Sequence, residues 1–195
     1  MFESSSQIVR VFFAVELPDK VKSFLKSVAQ ELRQCGGDVK WTNPAGMHLT
    51  LKFIGEITAD RLAQIEQAAR PICREQAVSV HKVSKIGVFP DFRRPRVIWA
   101  GCSDESSDLS NLAIRLEDAL APLGFAKEKR AFKPHLTLGR VRSNKGIANL
   151  VEGIRERTDV AGPSFTADRA ILFRSVLKPS GAEYSQIFRF DFRPE

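Results

Sequence analysis

A single α+β unit with largely antiparallel strands is the fold class this sequence predicts, on three observations. Strand-like and helix-like segments are interspersed along the chain, neighbouring strand-like segments are often joined by hairpin-length connections, and no stretch is Ser- or Pro-rich enough to be an interdomain linker. The 195 residues suffice to bury roughly two-thirds of the unfolded surface, so neither disulfides nor a metal is needed to hold a core. A charged fraction of 27% alongside 14 Phe excludes a disordered or collagen-like chain. No apolar run approaches the roughly 18 residues of a membrane-spanning helix, and Val11–Val15, fenced by Arg10 and Glu16, is too short for a signal peptide.

The elements follow from periodicity. Val9 to Leu17 is dense in β-branched and aromatic residues and stops at Pro18, which predicts a strand. Val21, Phe24, Leu25, Val28 and Leu32 recur at helical spacing until Gly36-Gly37 ends the segment. Val39–Thr42 is a short strand before the Asn43–Gly46 turn, and Met47–Ile54 a longer one. Thr58 is placed to cap a second helix carrying Leu62, Ile65, Ala69 and Ile72. Val78–Phe89 and Arg96–Cys102 form two strands around the Pro90–Pro95 loop. A third helix carries Leu109, Leu112, Leu116, Leu120 and Leu123 and ends at Gly124. Phe132–Val141 is a strand, residues 146 to 157 a weaker helix, and Ala167–Leu177 with Tyr184–Phe192 a closing hairpin.

The order helix, strand, helix, strand, strand runs once through residues 19–102 and again from about 105 to 192, an internal repeat. Two of the three histidines sit in the same four letters, one copy in each repeat: His48-Leu49-Thr50-Leu51 and His135-Leu136-Thr137-Leu138. Both copies fall on predicted strands, where side chains alternate between faces. Alternation points Met47, Leu49, Leu51 and Phe53 to one face and His48, Thr50 and Lys52 to the other, and sends Leu136 and Leu138 inward while His135 and Thr137 face outward. Each half thus presents an imidazole and a hydroxyl two residues apart.

Two imidazoles that titrate near neutrality can serve as one acid and one base, and threonine hydroxyls can donate to phosphate oxygens. With no obvious nucleophile, this set suits in-line displacement at phosphorus, water being activated on one side and the leaving oxygen protonated on the other. A zinc site would need three or four ligands, and no carboxylate or cysteine stands at ligand spacing from either histidine. His81, with no following Thr, is expected on a strand surface. Cys35, Cys73 and Cys102 are odd in number and widely spaced, as expected of reduced thiols in a cytoplasmic protein.

The chain resembles the two-histidine (2H) phosphoesterase superfamily, specifically its RNA 2′,3′-cyclic phosphodiesterase branch, historically called 2′-5′ RNA ligases. The resemblance spans nearly the whole chain: Arg10–Pro18, Trp41–Gly55 with the first motif, Gly87–Pro90 and Pro95–Trp99, Phe132–Arg140 with the second motif, Leu172–Leu177 and Tyr184. It implies a bilobal α+β fold of two mainly antiparallel sheets with outer helices facing a central cleft, related by a pseudo-two-fold axis. On this reading residues 1–195 are a single domain of two interleaved lobes, each giving one motif (48–51 and 135–138). The resemblance further implies no metal or nucleotide cofactor and opening of a 3′-terminal 2′,3′-cyclic phosphate to a 2′-phosphomonoester. By the same analogy His48 is the proton donor and His135 the proton acceptor, with Thr50 and Thr137 holding the phosphate oxygens.

A net charge of +7 is compatible with a polyanionic partner, here RNA with a 2′,3′-cyclic phosphate end, and neither a membrane nor an obligate protein partner is inferred. Arg140, just past the second motif, is a candidate phosphate ligand. Arg93, Arg94 and Arg96, and Lys127, Lys129, Arg130 and Lys133, are candidates for RNA contact, and Phe89 or Phe132 for stacking on a base. Three other uses of the same residues remain open at this stage: 2′-5′ ligation, RNA-end binding without turnover, and hydrolysis of a small cyclic nucleotide.

Overall fold

The computed structural model describes residues 7–179 and 181–194. Nine strands and four α-helices follow in the order β1 (Ile8–Glu16), α1 (Asp19–Gln34), β2 (Val39–Trp41), β3 (His48–Thr58), α2 (Leu62–Glu75), β4 (Ser79–Phe89), β5 (Val97–Cys102), α3 (Asp108–Leu120), β6 (His135–Val141), α4 (Ile147–Arg155), β7 (Ser164–Ala167), β8 (Arg169–Lys178) and β9 (Gly181–Asp191). The strands form a sheet of order β7-β4-β5-β6-β3-β1-β8-β9, with β2 added alongside β6, and every named strand pair is antiparallel.

The two motif strands, β6 and β3, stand at the centre of this order. Their pairing is narrow: one partnered pair, Leu49 with Leu136, links β3 to β6, whereas β1 and β3 pair from Ile8–Thr58 to Glu16–His48. The two expected sheets are therefore two halves of one sheet, joined at a seam. The connections also cross between halves. β4 and β5 follow the first motif in sequence but lie on the second motif's side, β5 pairing with β6, while β8 returns to pair with β1 and β9 adds outside it. The helices cross as well: α1 leaves β1 to pack on β6 and α4, and α3 leaves β5 to pack on β3 and α2.

One continuous core runs through both halves, from Phe13, Leu25 and Leu49 to Leu116, Leu136 and Phe190. The helices bury their apolar stripes against it, as with Val21, Leu25, Val28, Ala29 and Leu32 of α1. A second, smaller cluster of Phe12, Ala14, Ile171 and Phe173 lies apart from this core. The Val11–Val15 run is apolar throughout because both faces of β1 are covered there.

Several expectations are corrected. Lys52 does not share the His48–Thr50 face: it is 4% exposed, while Phe53 is 63% exposed. The register of β1 against β3 slips between Phe13 and Ala14, opposite Leu51–Lys52, and this β-bulge inverts the alternation beyond Leu51. Buried Lys52 is ion-paired to Glu117 of α3 at 2.5 Å and donates to the Ala126 carbonyl at 3.1 Å, which ties the loop leading to the second motif onto β3. His81 is no surface residue but is 1% exposed. Its ring nitrogens meet Ser79 Oγ and the Ser103 carbonyl, both at 2.8 Å, so it is a satisfied core histidine, while its neighbour Val80 faces outward. Thr58 makes no side-chain cap and precedes a short 3-10 turn, Ala59–Arg61, before α2. β6 starts at His135, not Phe132, and β7 is an additional short strand.

Candidate active site

The seam register assembles the site. Leu49 and Leu136 are fully buried partners. One residue to either side, alternation turns His48 and Thr50 of β3, and His135 and Thr137 of β6, onto the opposite face. Continuing the antiparallel register sets His48 abreast of Thr137 and Thr50 abreast of His135, so each hydroxyl neighbours the other half's imidazole. Directly opposed Cβ atoms lie about 4.5–5.5 Å apart and diagonal neighbours about 7–8 Å, and the two histidines occupy a diagonal. That spacing leaves room for one phosphorus with an oxygen directed at each ring. All four side chains are half-buried.

Both imidazoles are oriented in the same way. His48 Nδ1 donates to the Gly46 carbonyl at 2.8 Å, and His135 Nδ1 donates to the Lys133 carbonyl at 2.7 Å. A carbonyl can only accept, so each neutral ring carries its proton on Nδ1 and keeps the Nε2 lone pair for the cleft. The first acceptor is set by the Asn43-Pro44-Ala45-Gly46 turn, where Asn43 Oδ1 accepts from the Ala45 amide at 3.1 Å. The second comes from Lys133, just before Pro134, whose carbonyl accepts from the Cys102 amide at 3.1 Å.

Aromatic rings crowd His48. Phe12 lies 4.6 Å from it and Phe173 6.1 Å, both at shallow tilts, and Tyr184 meets it edge to face at 4.9 Å. Among the described residues His135 has one such neighbour, Phe89, edge to face at 5.0 Å, and Phe89 in turn stacks on Trp99 at 5.0 Å. Trp99 is the β5 partner of Thr137; its indole lies over Gly87, where a Cβ would overlap the ring.

Burial in these walls penalises the imidazolium and lowers both pKa values. His48 falls from 6.5 to about 4, chiefly by desolvation; the Gly46 carbonyl opposes the shift and Lys22 adds to it. His135 is also lowered, first by desolvation, against the Lys133 carbonyl and with help from Arg140. In the free protein both rings are therefore neutral at neutral pH.

A second bulge brings Arg140 to the site. Trp99 pairs with Thr137 but Ile98 pairs with Gly139, so the register slips by one residue on β6 and Arg140, partnered with Val97 on β5 and Lys40 on β2, joins the His135–Thr137 face. Strict alternation from Thr137 would have turned Arg140 toward the core. The two bulges fall at the same offset from their histidines, so the position matching Arg140 in the first half is Phe53.

Arg140, Arg10, Lys22, Lys40, Arg96 and Arg142 have no carboxylate partner among the described residues, nor have Arg93, Arg94, Lys129, Arg130 and Lys133. Lys127, by contrast, is paired with Asp118. Phe132 packs against the main core, whereas Phe89 stands in the site. Phe12, Lys22, Trp99 and the placement of Tyr184 were not assigned from sequence; the unbroken apolar run of β1 was the readable sign that Phe12 faces something other than water. Among the described residues no group of three or more His, Cys, Asp or Glu is arranged to hold a metal, and no helix is long and apolar enough to cross a membrane.

Twin His-x-Thr strands meeting at a two-fold seam define the two-histidine phosphoesterase class. A profile of the LigT-like phosphoesterase family matches residues 15–99 and 101–184, one stretch for each motif. The chain is 34% identical over 186 residues to the RNA 2′,3′-cyclic phosphodiesterase of Archaeoglobus fulgidus, covering 94% of this chain and 100% of that one. It is 32% identical to the protein of the same name from Methanothermobacter thermautotrophicus, covering 93% and 98%. Among solved structures, TT0787 of Thermus thermophilus superposes with a TM-score of 0.80 at 27% identity over 95% of this chain and 99% of that one. Escherichia coli LigT, complexed with 3′-AMP, superposes with a TM-score of 0.78 at 22% identity over 95% and 99%, a likeness of fold. The chain belongs to the LigT-like phosphoesterase family.

Proposed function

We propose that the protein is an RNA 2′,3′-cyclic phosphodiesterase that opens a 3′-terminal 2′,3′-cyclic phosphate to a 2′-phosphomonoester. The observation that carries the reading is the seam pairing of Leu49 with Leu136, whose register puts the two histidines on a diagonal, each bonded through Nδ1 to a backbone carbonyl. Relatives bearing that activity in their names, at about a third identity over nearly full length, support it.

In the mechanism, water enters on the His135 side, in line with the bond to O3′. His135 Nε2 accepts a proton as the water oxygen bonds to phosphorus. The P–O3′ bond breaks on the far side and O3′ takes the proton carried by His48 Nε2, leaving a free 3′-hydroxyl and a 2′-phosphate. Thr50 and Thr137 donate to the non-bridging oxygens, and the Arg140 guanidinium balances their charge. His48 ends neutral and His135 protonated, and solvent restores both. Since burial holds His48 neutral in the empty site, the substrate's own negative charge supplies the stabilisation that lets it carry a proton.

The single-domain reading, two interleaved lobes each supplying one motif, is part of this proposal and is supported by the continuous core. A cytoplasmic location is supported by three unpaired cysteines. The test is a product assay on an oligoribonucleotide ending in 2′,3′-cyclic phosphate, with EDTA present. Turnover to the 2′-phosphate by the wild type, lost in His48→Ala and in His135→Ala, supports the reading. Tight binding of the same end without turnover overturns it.

A further inference from the structure

The His48 side of the site has a wall with no counterpart across the seam among the described residues. β9 runs outside β8 beside the first motif, where Tyr184 pairs with Ser175. Its positional counterpart, β7, pairs only with residues 79–82 at the far end of β4, away from Phe89. Tyr184 is 37% exposed, its ring turned toward the first motif. The ring meets His48 edge to face at 4.9 Å and 89°, and Phe12 at 5.3 Å and 80°. It also covers Gly46: a Cβ there would come 3.1 Å from Tyr184 Cε2. Gly46 supplies the carbonyl that accepts from His48 Nδ1 at 2.8 Å. One side chain thus touches both the imidazole and the residue whose carbonyl fixes the imidazole's tautomer. The contacts with His48, Phe12 and Gly46 are all made by the ring.

We propose that Tyr184 is a positioning residue for His48, a clamp on the imidazole edge and on the Gly46 carbonyl that keeps Nε2 aimed at the leaving oxygen. The proposal rests on the phosphodiesterase reading for its kinetic consequence but not for its structural one. Removing the ring frees the imidazole to rotate and admits water beside it, so the proton reaches O3′ less often although substrate still binds through Thr50, Thr137 and Arg140. The expected signature is a fall in kcat with little change in KM.

The experiment compares Tyr184→Ala with Tyr184→Phe in two readouts. In the first, the histidine Hε1 resonances of the free protein are titrated by NMR. In Tyr184→Ala the His48 pKa rises from about 4 toward its ordinary value, while Tyr184→Phe leaves it in place and His135 is unmoved in both, which also certifies the fold. In the second, Tyr184→Ala lowers kcat about 10- to 100-fold and Tyr184→Phe restores it to within about twofold. Gly46→Ala, whose added methyl presses on the same ring, also lowers kcat, and combined with Tyr184→Ala it costs no more than Tyr184→Ala alone. An unchanged His48 titration in Tyr184→Ala, or a Tyr184→Phe variant as impaired as Tyr184→Ala, overturns the proposal. The titration uses no substrate, so failure of the clamp is distinguishable from failure of the phosphodiesterase reading, which shows as a wild type without turnover.

Discussion

The half of the sheet around His48 and the half around His135 match at the seam and diverge as soon as the chain leaves it. Each supplies a histidine held by a carbonyl two residues upstream, a threonine two residues on, and a bulge at the same offset beyond. Past the bulge one half presents exposed Phe53, with Phe12, Phe173 and Tyr184 behind it, and the other presents Arg140 beside Lys40. The difference fits the proposed reaction. Displacement at phosphorus needs similar proton-handling groups on both sides, but in the proposed mechanism what lies beyond them differs: the ribose O3′ departs from phosphorus on one side and a water enters on the other. An aromatic wall suits the nucleoside, and unpaired cations suit the charge on the phosphate oxygens.

The largest expected effect tests the symmetric part. His48→Ala and His135→Ala should each lower kcat by about 10²–10⁴-fold, and the double variant should fall little further than either single one, as expected of groups acting in one step. Losses that multiply fully would separate the two histidines into different events. The next effect tests the asymmetry. Arg140→Ala should lower kcat/KM about 10- to 100-fold, the worth of a charge-assisted hydrogen bond, whereas Phe53→Ala, at the matching position, should act mainly by raising KM a few-fold. Equal losses with the same kcat–KM split would break the contrast.

A milder effect concerns pH. The profile of kcat/KM reports the free protein, in which both rings titrate below 6.5. It should therefore be a bell with its maximum below pH 6.5, falling as pH rises above that value. A maximum well above 7 would contradict the buried, carbonyl-held geometry. The smallest effect is on stability. Because the folded His48 pKa lies below the unfolded one, the unfolded chain binds the proton first as pH falls. Its contribution is full above pH 6.5 and is lost between 6.5 and about 4, on the order of 3 kcal/mol. Denaturant unfolding of His48→Gln should show a shallower loss across that window than the wild type.

Much of this was legible in the sequence because it rests on periodicity and repetition. The twin His-Leu-Thr-Leu motifs, their strands, the helices and the antiparallel preference could be read directly. Lys52 and Phe53 exchanged faces because a bulge adds one residue to one strand, and alternation carries no mark of where that happens. The same device moved Arg140 onto the site face, so the phosphate ligand inferred from its place beside the motif stands where unbroken alternation would not put it. His81 looked like an exposed strand residue because a histidine with both nitrogens satisfied, by Ser79 and the Ser103 carbonyl, is as much at home in a core as at a surface. The crossing of β4–β5 and β8–β9 between halves is a long-range pairing that local pattern does not encode.

The direct test of a directional site is to relieve the acid of its task. In a substrate whose 3′-bridging oxygen is replaced by sulfur, the sulfur departs from phosphorus as a thiolate and needs no proton. The account predicts that His48→Ala, crippled on the oxygen substrate, recovers on the sulfur substrate to within about tenfold of the wild type, while His135→Ala stays crippled on both. Recovery of His135→Ala in place of His48→Ala would reverse the direction of the site and contradict the account.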